Sequence, residues 1–546
     1  MQASALVAPT SRRSTAALWL LRAVGLLAVL GVLAPILVVV FSWSSEQTDI
    51  WQHLIATQLG GLLANTLTLL VGVGILVSLL GIALAWFTVM CDFPGRAWFE
   101  WLLMLPMAVP AYVMAFVTLG VFDFGGPLQS FLRDHVGQAY GSIDVRSEPT
   151  VIVVFSLVLY PYVYMLARSA FLSQSSDTIE AARALGCNAW QAFFRVALPM
   201  ARPAIIAGVS LALMETLADF GTVAIFNYDT FTTAIYKSWF GFFNLQAAAQ
   251  LASILLLFVA LTLFAERRSR GGRRFIQGAR LQHRFRFAVS PLTAWMMTLI
   301  CSVVLFMAFV LPVLQLMLWA LGAGAEQLNR RFFELLAHSL WLAGIAAVVT
   351  VILALVLAFN RRQKGRFSAV FGAAHLGYAL PGSVLAVGIM LSFTYIDNQF
   401  FIPLQRVFGM VPTPILVGSL LTLLAAYWIR FLAVASGPVE SSLERIRPSL
   451  PEAARTLGAQ GATLVWRIYL PMLRPGLLTA AVLVFVDVMK EMPATLLLRP
   501  YGWDTLAVRI YEMTAEGQWQ LAALPALALV AAGLIPVIIS IRQSRH

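Results

Sequence analysis

The chain reads as an all-α membrane protein, with about 12 transmembrane helices arranged as two parallel, repeated six-helix halves. Three observations predict this. Over 546 residues, 60% are hydrophobic and only 11% charged, roughly half the charged fraction of a soluble domain. The apolar residues arrive in blocks of about 20 or more, the length that crosses the hydrocarbon of a bilayer. Finally, EAARALGCNAWQAFFRVALP at 180–199 returns as EAARTLGAQGATLVWRIYLP at 452–471, an offset of 272 residues.

The blocks place spans at 16–42, 62–89, 97–122, 150–172, 202–226, 245–265, 290–322, 335–360, 368–395, 411–436, 474–497 and 517–541. The first block is too long for a signal-peptide core and has no clear cleavage site, so it reads as a retained helix. About 28 of the 37 Lys and Arg fall near one side and eight in the loops of the other. By the positive-inside rule the richer side, with both termini, is cytoplasmic. An offset of 272 spans six helices, an even number, so the halves repeat in parallel rather than inverted topology. Further pieces repeat: Leu63-Ala64-Asn65-Thr66 opens the second span and Leu336-Ala337-His338-Ser339 the eighth, and an Ile-Tyr pair recurs (Ile235-Tyr236, Ile510-Tyr511). The first span of each half reads as a peripheral addition to a five-helix core.

The formal charge of +12 does not indicate nucleic acid, because the basic residues sit in short loops, eight Arg of them within 266–286. No solvated domain is present to carry a basic patch interleaved with aromatics. Cys91, Cys187 and Cys301 have neither metal-ligand spacing nor a disulfide framework, and no residues are assigned to a metal. The only lysines, Lys237, Lys364 and Lys490, follow no Gly-rich phosphate loop, so ATP hydrolysis by that route belongs to another chain.

In both polar loops Glu precedes Gly by six residues and Pro by nineteen. The pattern predicts a short helix, a Gly turn and a second short helix. Asp177 and Ser449, three residues before the Glu, suit a capping box. Gly186 and Gly458 suit the left-handed residue that ends a helix, and Pro199 and Pro471 are expected to stop the second helix. One such loop is an ordinary interfacial element, but two in register suit a pseudo-symmetric pair of partner subunits.

On these residues the chain resembles permeases of ABC importers fed by a binding protein, whose EAA motif has the same Glu-Ala-Ala, Gly and late Leu-Pro. Val196 stands where the family has Ile, and Ile468 keeps it. The resemblance covers the whole chain as two fused permease domains: 1–265 with its loop at 177–200, an Arg-rich linker at 266–289, and 290–546 with its loop at 449–472. It implies the type I importer permease fold in a bacterial inner membrane. It also implies that Glu180, Ala181, Ala182, Gly186 and Pro199, with Glu452, Ala453, Ala454, Gly458 and Pro471, dock on a dimer of cytoplasmic ABC ATPase subunits. The chain then binds no cofactor, since ATP and Mg belong to the ATPase. The other implied partners are a periplasmic substrate-binding protein and membrane lipid.

Carboxylates within the spans are costly and suggest function. Glu215 and Asp219 are four apart, hence expected on one helical face, and Asp487 and Glu491 repeat them at the same offset. Two readings stand for these four: structural pairing, with Lys490 neutralising a neighbour, or a translocation path lined by oxygen ligands. The stretches METLADFGTVAIF and TFTTAIYKSWFG, with CDFPGR and WLLMLPMAVPAYVMAF, resemble fused permeases of ferric-iron importers. Related fused permeases carry thiamine or aminoethylphosphonate, and these alternatives remain. An ion-driven secondary carrier fits less well, having no use for twin cytoplasmic loops. External loops at 123–149, 227–244 and 499–516, with Asp123, Asp134, Asp144 and Glu148, are expected to form the rim for the binding protein, and His135 among them makes no iron site by itself.

Overall fold

The computed structural model describes residues 12–136, 144–174, 176–270, 286–324, 327–362, 368–459 and 461–544. Among these, twelve helices are long and apolar enough to cross a membrane: α1 (Trp19–Ser44), α2 (Leu59–Met90), α3 (Ala111–His135), α4 (Glu148–Ser173), α5 (Trp190–Ala218), α6 (Leu245–Ser269), α7 (Pro291–Gly322), α8 (Arg330–Arg362), α9 (Gly382–Val407), α10 (Leu420–Glu444), α11 (Val465–Lys490) and α12 (Trp519–Ile539). Their number and order match the sequence pattern. On α2, Leu62, Leu69, Val73 and Val77 are buried while Leu67, Val71, Ile75 and Leu79 are exposed. A helix apolar on both faces suits lipid rather than water on its outer side.

Several expected spans begin elsewhere, α5 at Trp190 and α11 at Val465 rather than at 202 and 474. The block at 97–122 is a helix over Arg96–Leu102, a 3-10 turn over Leu105–Ala108 and a new helix from Ala111. The block at 368–395 repeats this, with Ser368–Gly372, a 3-10 turn over Ala373–Ala379 and a new helix from Gly382. Each restart follows a proline, Pro110 or Pro381, which pushes the preceding residue out of the helical region. Val109 and Leu380 accordingly have ψ of 118° and 122°. The tenth span starts at Leu420 rather than 411. The buried Asp397 carboxylate holds the preceding loop, accepting N–H bonds from Ile415 (3.2 Å), Leu416 (3.1 Å) and Val417 (2.9 Å).

The described chain forms two compact units that do not follow the sequence halves. One joins residues 1–38 to 340–380 and 388–488, so most of the first span packs with helices of the second half. There Asn360 Nδ2 donates to the Leu21 carbonyl at 2.9 Å. The other unit comprises 39–339, 381–387 and 489–546. In it α7 joins first-half helices: Thr298 Oγ1 donates to the Pro94 carbonyl (3.0 Å), and Trp319 stacks on Phe116 at 6.2 Å. Cys91-Asp92 also pairs in parallel with Phe287-Ala288. Both peripheral spans thus pack against the opposite half of the sequence.

The core of this second unit is α2, α4 and α5, with Tyr160 and Tyr164 fully buried. Their hydroxyls donate to the carbonyls of Leu103 (2.8 Å) and Glu100 (2.9 Å). At Gly208 a Cβ would lie 2.8 Å from Val163 Cα, so a side chain there would force α4 and α5 apart. Such close approach through small residues is a usual way for membrane helices to gain contact.

Candidate functional site

The first polar loop is a helix over Ser176–Ala184, a turn, and a short helix from Ala189. The second is a helix over Ser449–Thr456, a turn, and a short helix from Ala462. Gly186 and Gly458 both have φ of +87°. Nothing lies within 4 Å of a Cβ built at either, so the backbone conformation, not crowding, favours glycine. Cys187 N donates to the Ala182 carbonyl (3.1 Å) and Ala459 N to that of Ala454 (2.9 Å), the long-range bond of a Schellman ending in each copy.

Glu180, Ala181, Glu452 and Ala453 are exposed, whereas Ala182 and Ala454 are buried. The loops therefore turn one alanine inward and present Glu and the other alanine outward. Two further features of this surface fall at positions that the sequence repeat already aligns. Leu185 and Leu457, just before each glycine, are 87% and 88% exposed. Phe194 and Trp466, also at the repeat offset, are exposed too. The signal was available, since an apolar residue precedes each glycine at the same place.

Two local expectations change. Pro448, already helical at φ −54° and ψ −32°, takes the N-cap position of the second loop with no side-chain cap. Ser449 is then the first helical residue and forms no capping box; the Asp177 side chain lies outside the described residues. Pro199 and Pro471 do not stop a helix. Each follows a π-helical turn, Phe193–Ala197 or Val465–Tyr469, that runs directly into the next span. Leu198 N donates to the Phe193 carbonyl and Leu470 N to that of Val465. The wider turn accommodates a proline that would clash with the carbonyl four residues back.

The intramembrane carboxylates mark breaks. The helix bearing Glu215 ends at Ala218, Asp219 is extended (φ −73°, ψ 134°), and a short helix follows over Gly221–Ile225. Glu215 and Asp219 therefore do not share one face of a continuous helix. In the second copy the helix bearing Asp487 ends at Lys490 and another begins at Pro493. Asp219 Oδ1 accepts from Thr222 N (2.7 Å) and Glu491 Oε1 from Ala494 N (3.0 Å). Both carboxylates cap the restarted helix, where its free N–H groups favour negative charge. Glu215 lies within electrostatic range of Asp219. Asp487 is half-buried on α11, within the other compact unit.

Beyond each break a second short helix is pinned to the start of a long one. Thr230 caps Phe231–Tyr236 in a capping box with Thr233, and Thr505 Oγ1 accepts from Val508 N (3.4 Å) to cap Leu506–Ala515. The repeated Leu-Ala-Asn-Thr and Leu-Ala-His-Ser openings supply the pins. Asn65 Nδ2 donates to the Asp229 carbonyl at 2.9 Å, and His338 Nδ1 lies 3.3 Å from that of Asp504. The repeated tyrosines then meet on one ring, with Tyr236 5.0 Å and Tyr511 5.4 Å from Phe220.

Of the expected rim residues, Asp123 pairs with Arg146 at 3.7 Å, and Glu148 accepts from Tyr228 at 3.4 Å. His135 stacks on Phe131. Among the described residues no three His, Cys, Asp or Glu side chains gather as a metal-binding group.

The family described as the binding-protein-dependent transport system inner membrane component matches residues 77–268 and again 350–544. The chain is 28% identical over 488 residues to the Fe(3+)-transport system permease protein FbpB 2 of Haemophilus influenzae, covering 87% of this chain and 88% of that one. It is 22% identical over 489 residues to the ferric transport system permease protein FbpB of Actinobacillus pleuropneumoniae, covering 84% and 68%. A shorter match, 37% over 145 residues, relates it to the sulfate transport system permease protein CysW of Escherichia coli, with 27% and 48% covered.

Proposed function

Because the chain belongs to the family of binding-protein-dependent transport system inner membrane components, we propose that it is the membrane subunit of an ATP-driven importer for ferric iron. The likeness to an Fe(3+)-transport permease over 87% of the chain carries the reading. The sulfate relative matches only 27% of it. The carboxylates at the helix breaks agree with a cationic cargo, since Asp219 and Glu491 would repel an oxyanion and attract a hard cation.

In this reading both loops face the cytoplasm, and each docks on one subunit of an ATPase dimer that holds ATP and Mg. Glu180, Ala181, Glu452, Ala453 and the two exposed leucines form the contact. The buried Ala182 and Ala454, the left-handed glycines and the π turns before Pro199 and Pro471 make each loop a rigid extension of α5 or α11. ATP-driven closure of the partner moves the loops and, through those continuous helices, the breaks at Asp219 and Glu491. The path lined by Glu215, Asp219 and Glu491 then changes the side to which it opens. A periplasmic binding protein releases its ferric cargo into the outward-facing state. The chain's contribution is conformational, with no covalent step.

Uptake of labelled Fe³⁺ tests the reading in cells lacking this chain, with and without it restored. Restored uptake is expected from the intact chain and not from one carrying Glu180→Arg and Glu452→Arg. No iron uptake with the intact chain overturns the ferric assignment, and thiamine and aminoethylphosphonate are then the cargoes to test.

A further inference from the structure

Arg362, the last residue of α8, reaches both ends of the second polar loop. Its Nη1 donates to the Leu443 carbonyl at 3.1 Å and its Nη2 to the Ile446 carbonyl at 2.8 Å. These carbonyls close α10 and lead to Pro448, where the helix of the loop begins. The last carbonyls of a helix lack intrahelical donors and form its negative pole, so a guanidinium suits them. The same guanidinium lies 5.7 Å from the ring centre of Tyr469, within cation–π range. Tyr469 ends the π turn through which the loop passes into α11, and Phe359, one turn back on α8, meets its ring edge-on at 5.0 Å. Arg361 turns instead to α10, where Nη1 donates to both Glu440 carboxylate oxygens at 2.5 and 2.7 Å. All these residues belong to one compact unit.

The first loop is held by other chemistry. In the register that matches Asn65 to His338, Val89 takes the place of Arg362 and Trp86 that of Phe359. Trp86 packs on Phe171 near the end of α4 (5.6 Å) and on Phe193 in the π turn (4.7 Å). Gln174 Nε2 also ties the entry to the exit, donating to the Ala197 carbonyl at 2.9 Å. We infer that Arg362 is a positioning residue: one guanidinium fastens entry and exit of the second loop to α8, as ring packing on Trp86 does for the first loop on α2. Neither flank of the second loop can then hinge without breaking a contact of Arg362, so a push on the loop moves α8 together with α11. This inference rests on the reading of the loops as coupling points and adds α8 to the helices they drive.

Spin labels on the full chain in lipid nanodiscs test the attachment. The three cysteines are replaced by serine, and one label is placed through Leu457→Cys or Leu185→Cys, the exposed leucines of the two loops. Arg362→Met keeps the stem and removes the donors, so label mobility should rise at 457 and stay unchanged at 185. Arg362→Lys, which keeps the charge and a donor, should restore most of the lost order. Arg361→Gln removes a neighbouring charge that does not touch the loop and should leave both labels unmoved. Unchanged mobility at 457 in Arg362→Met, or equal loosening by Arg361→Gln, overturns the inference. With ATPase and binding protein present, Arg362→Met should keep the ATPase bound yet lower labelled Fe³⁺ uptake per ATP hydrolysed about tenfold, as loss of hydrogen bonds from a charged donor would. An unchanged ratio overturns the part given to α8 in coupling. If the intact chain retains no ATPase, the coupling reading falls, and the labels still decide whether Arg362 holds the loop.

Discussion

The two polar loops share the backbone geometry of their glycine turns and π turns, whereas the two helix breaks share a plan and differ in side chains. Gly186 and Gly458 have the same φ of +87°, and each loop has the same Schellman bond and the same π turn before its proline. At the breaks, Asp219 in one copy is Glu491 in the other, and the pin is Asn65 in one and His338 in the other. The Ser339 hydroxyl accepts from Leu506 N at 2.9 Å, while the buried Thr66 hydroxyl in the matching place has no partner. Asp229 pairs with Lys237 at 2.6 Å and accepts from Thr233 Oγ1 at 3.3 Å, whereas Asp504 joins Arg331 and Arg499, and Arg499 continues to Glu512 at 2.7 Å. Loops alike at these points suit two copies of one partner. Divergent breaks suit surroundings that are not symmetric, as a single cargo and a single binding protein would be.

The sharpest way to break this comparison is at the glycines. A side chain in the left-handed region costs about 1–2 kcal/mol per residue, so Gly186→Val with Gly458→Val should lower uptake about tenfold or more. Each single change should lower it by a similar factor; a large effect from one glycine and none from the other would undo the equivalence of the loops. A smaller effect is expected at the breaks. Asp219→Asn and Glu491→Gln keep the cap and remove the charge, so expression and thermal unfolding should be nearly unchanged while uptake falls several-fold, roughly 1 kcal/mol. Uptake lost only together with folding would make these residues structural. The smallest effect belongs to the pins: Asn65→Ala and His338→Ala each remove one hydrogen bond, worth about 1 kcal/mol of thermal stability, and unequal losses would measure how far the two copies have diverged.

Much of this was legible in the sequence. The twelve spans follow from apolar length, the parallel duplication from an even number of helices between repeats, and the left-handed glycines from their place at the end of a capped pattern. The breaks were not legible. Glu215 and Asp219 have the spacing of helical neighbours, and only the bond from Thr222 N reveals that Asp219 starts a new helix. The prolines at 199 and 471 signal a stop, yet a π turn absorbs each one. Periodicity does not register a shift of one hydrogen-bond step. Packing of the first span with the second half depends on contacts more than 300 residues apart, such as Asn360 with Leu21.

Equivalence of the loops as the coupling points is tested most directly by reversing one charge at a time. Labelled Fe³⁺ uptake, with the amount of ATPase retained on purification, would be measured for Glu180→Arg, Glu452→Arg and the double change. Each single change should lower both readouts by similar factors, and the double change should abolish uptake and release the ATPase. Normal uptake from either single change, or an ATPase still bound and active with both, would contradict the account.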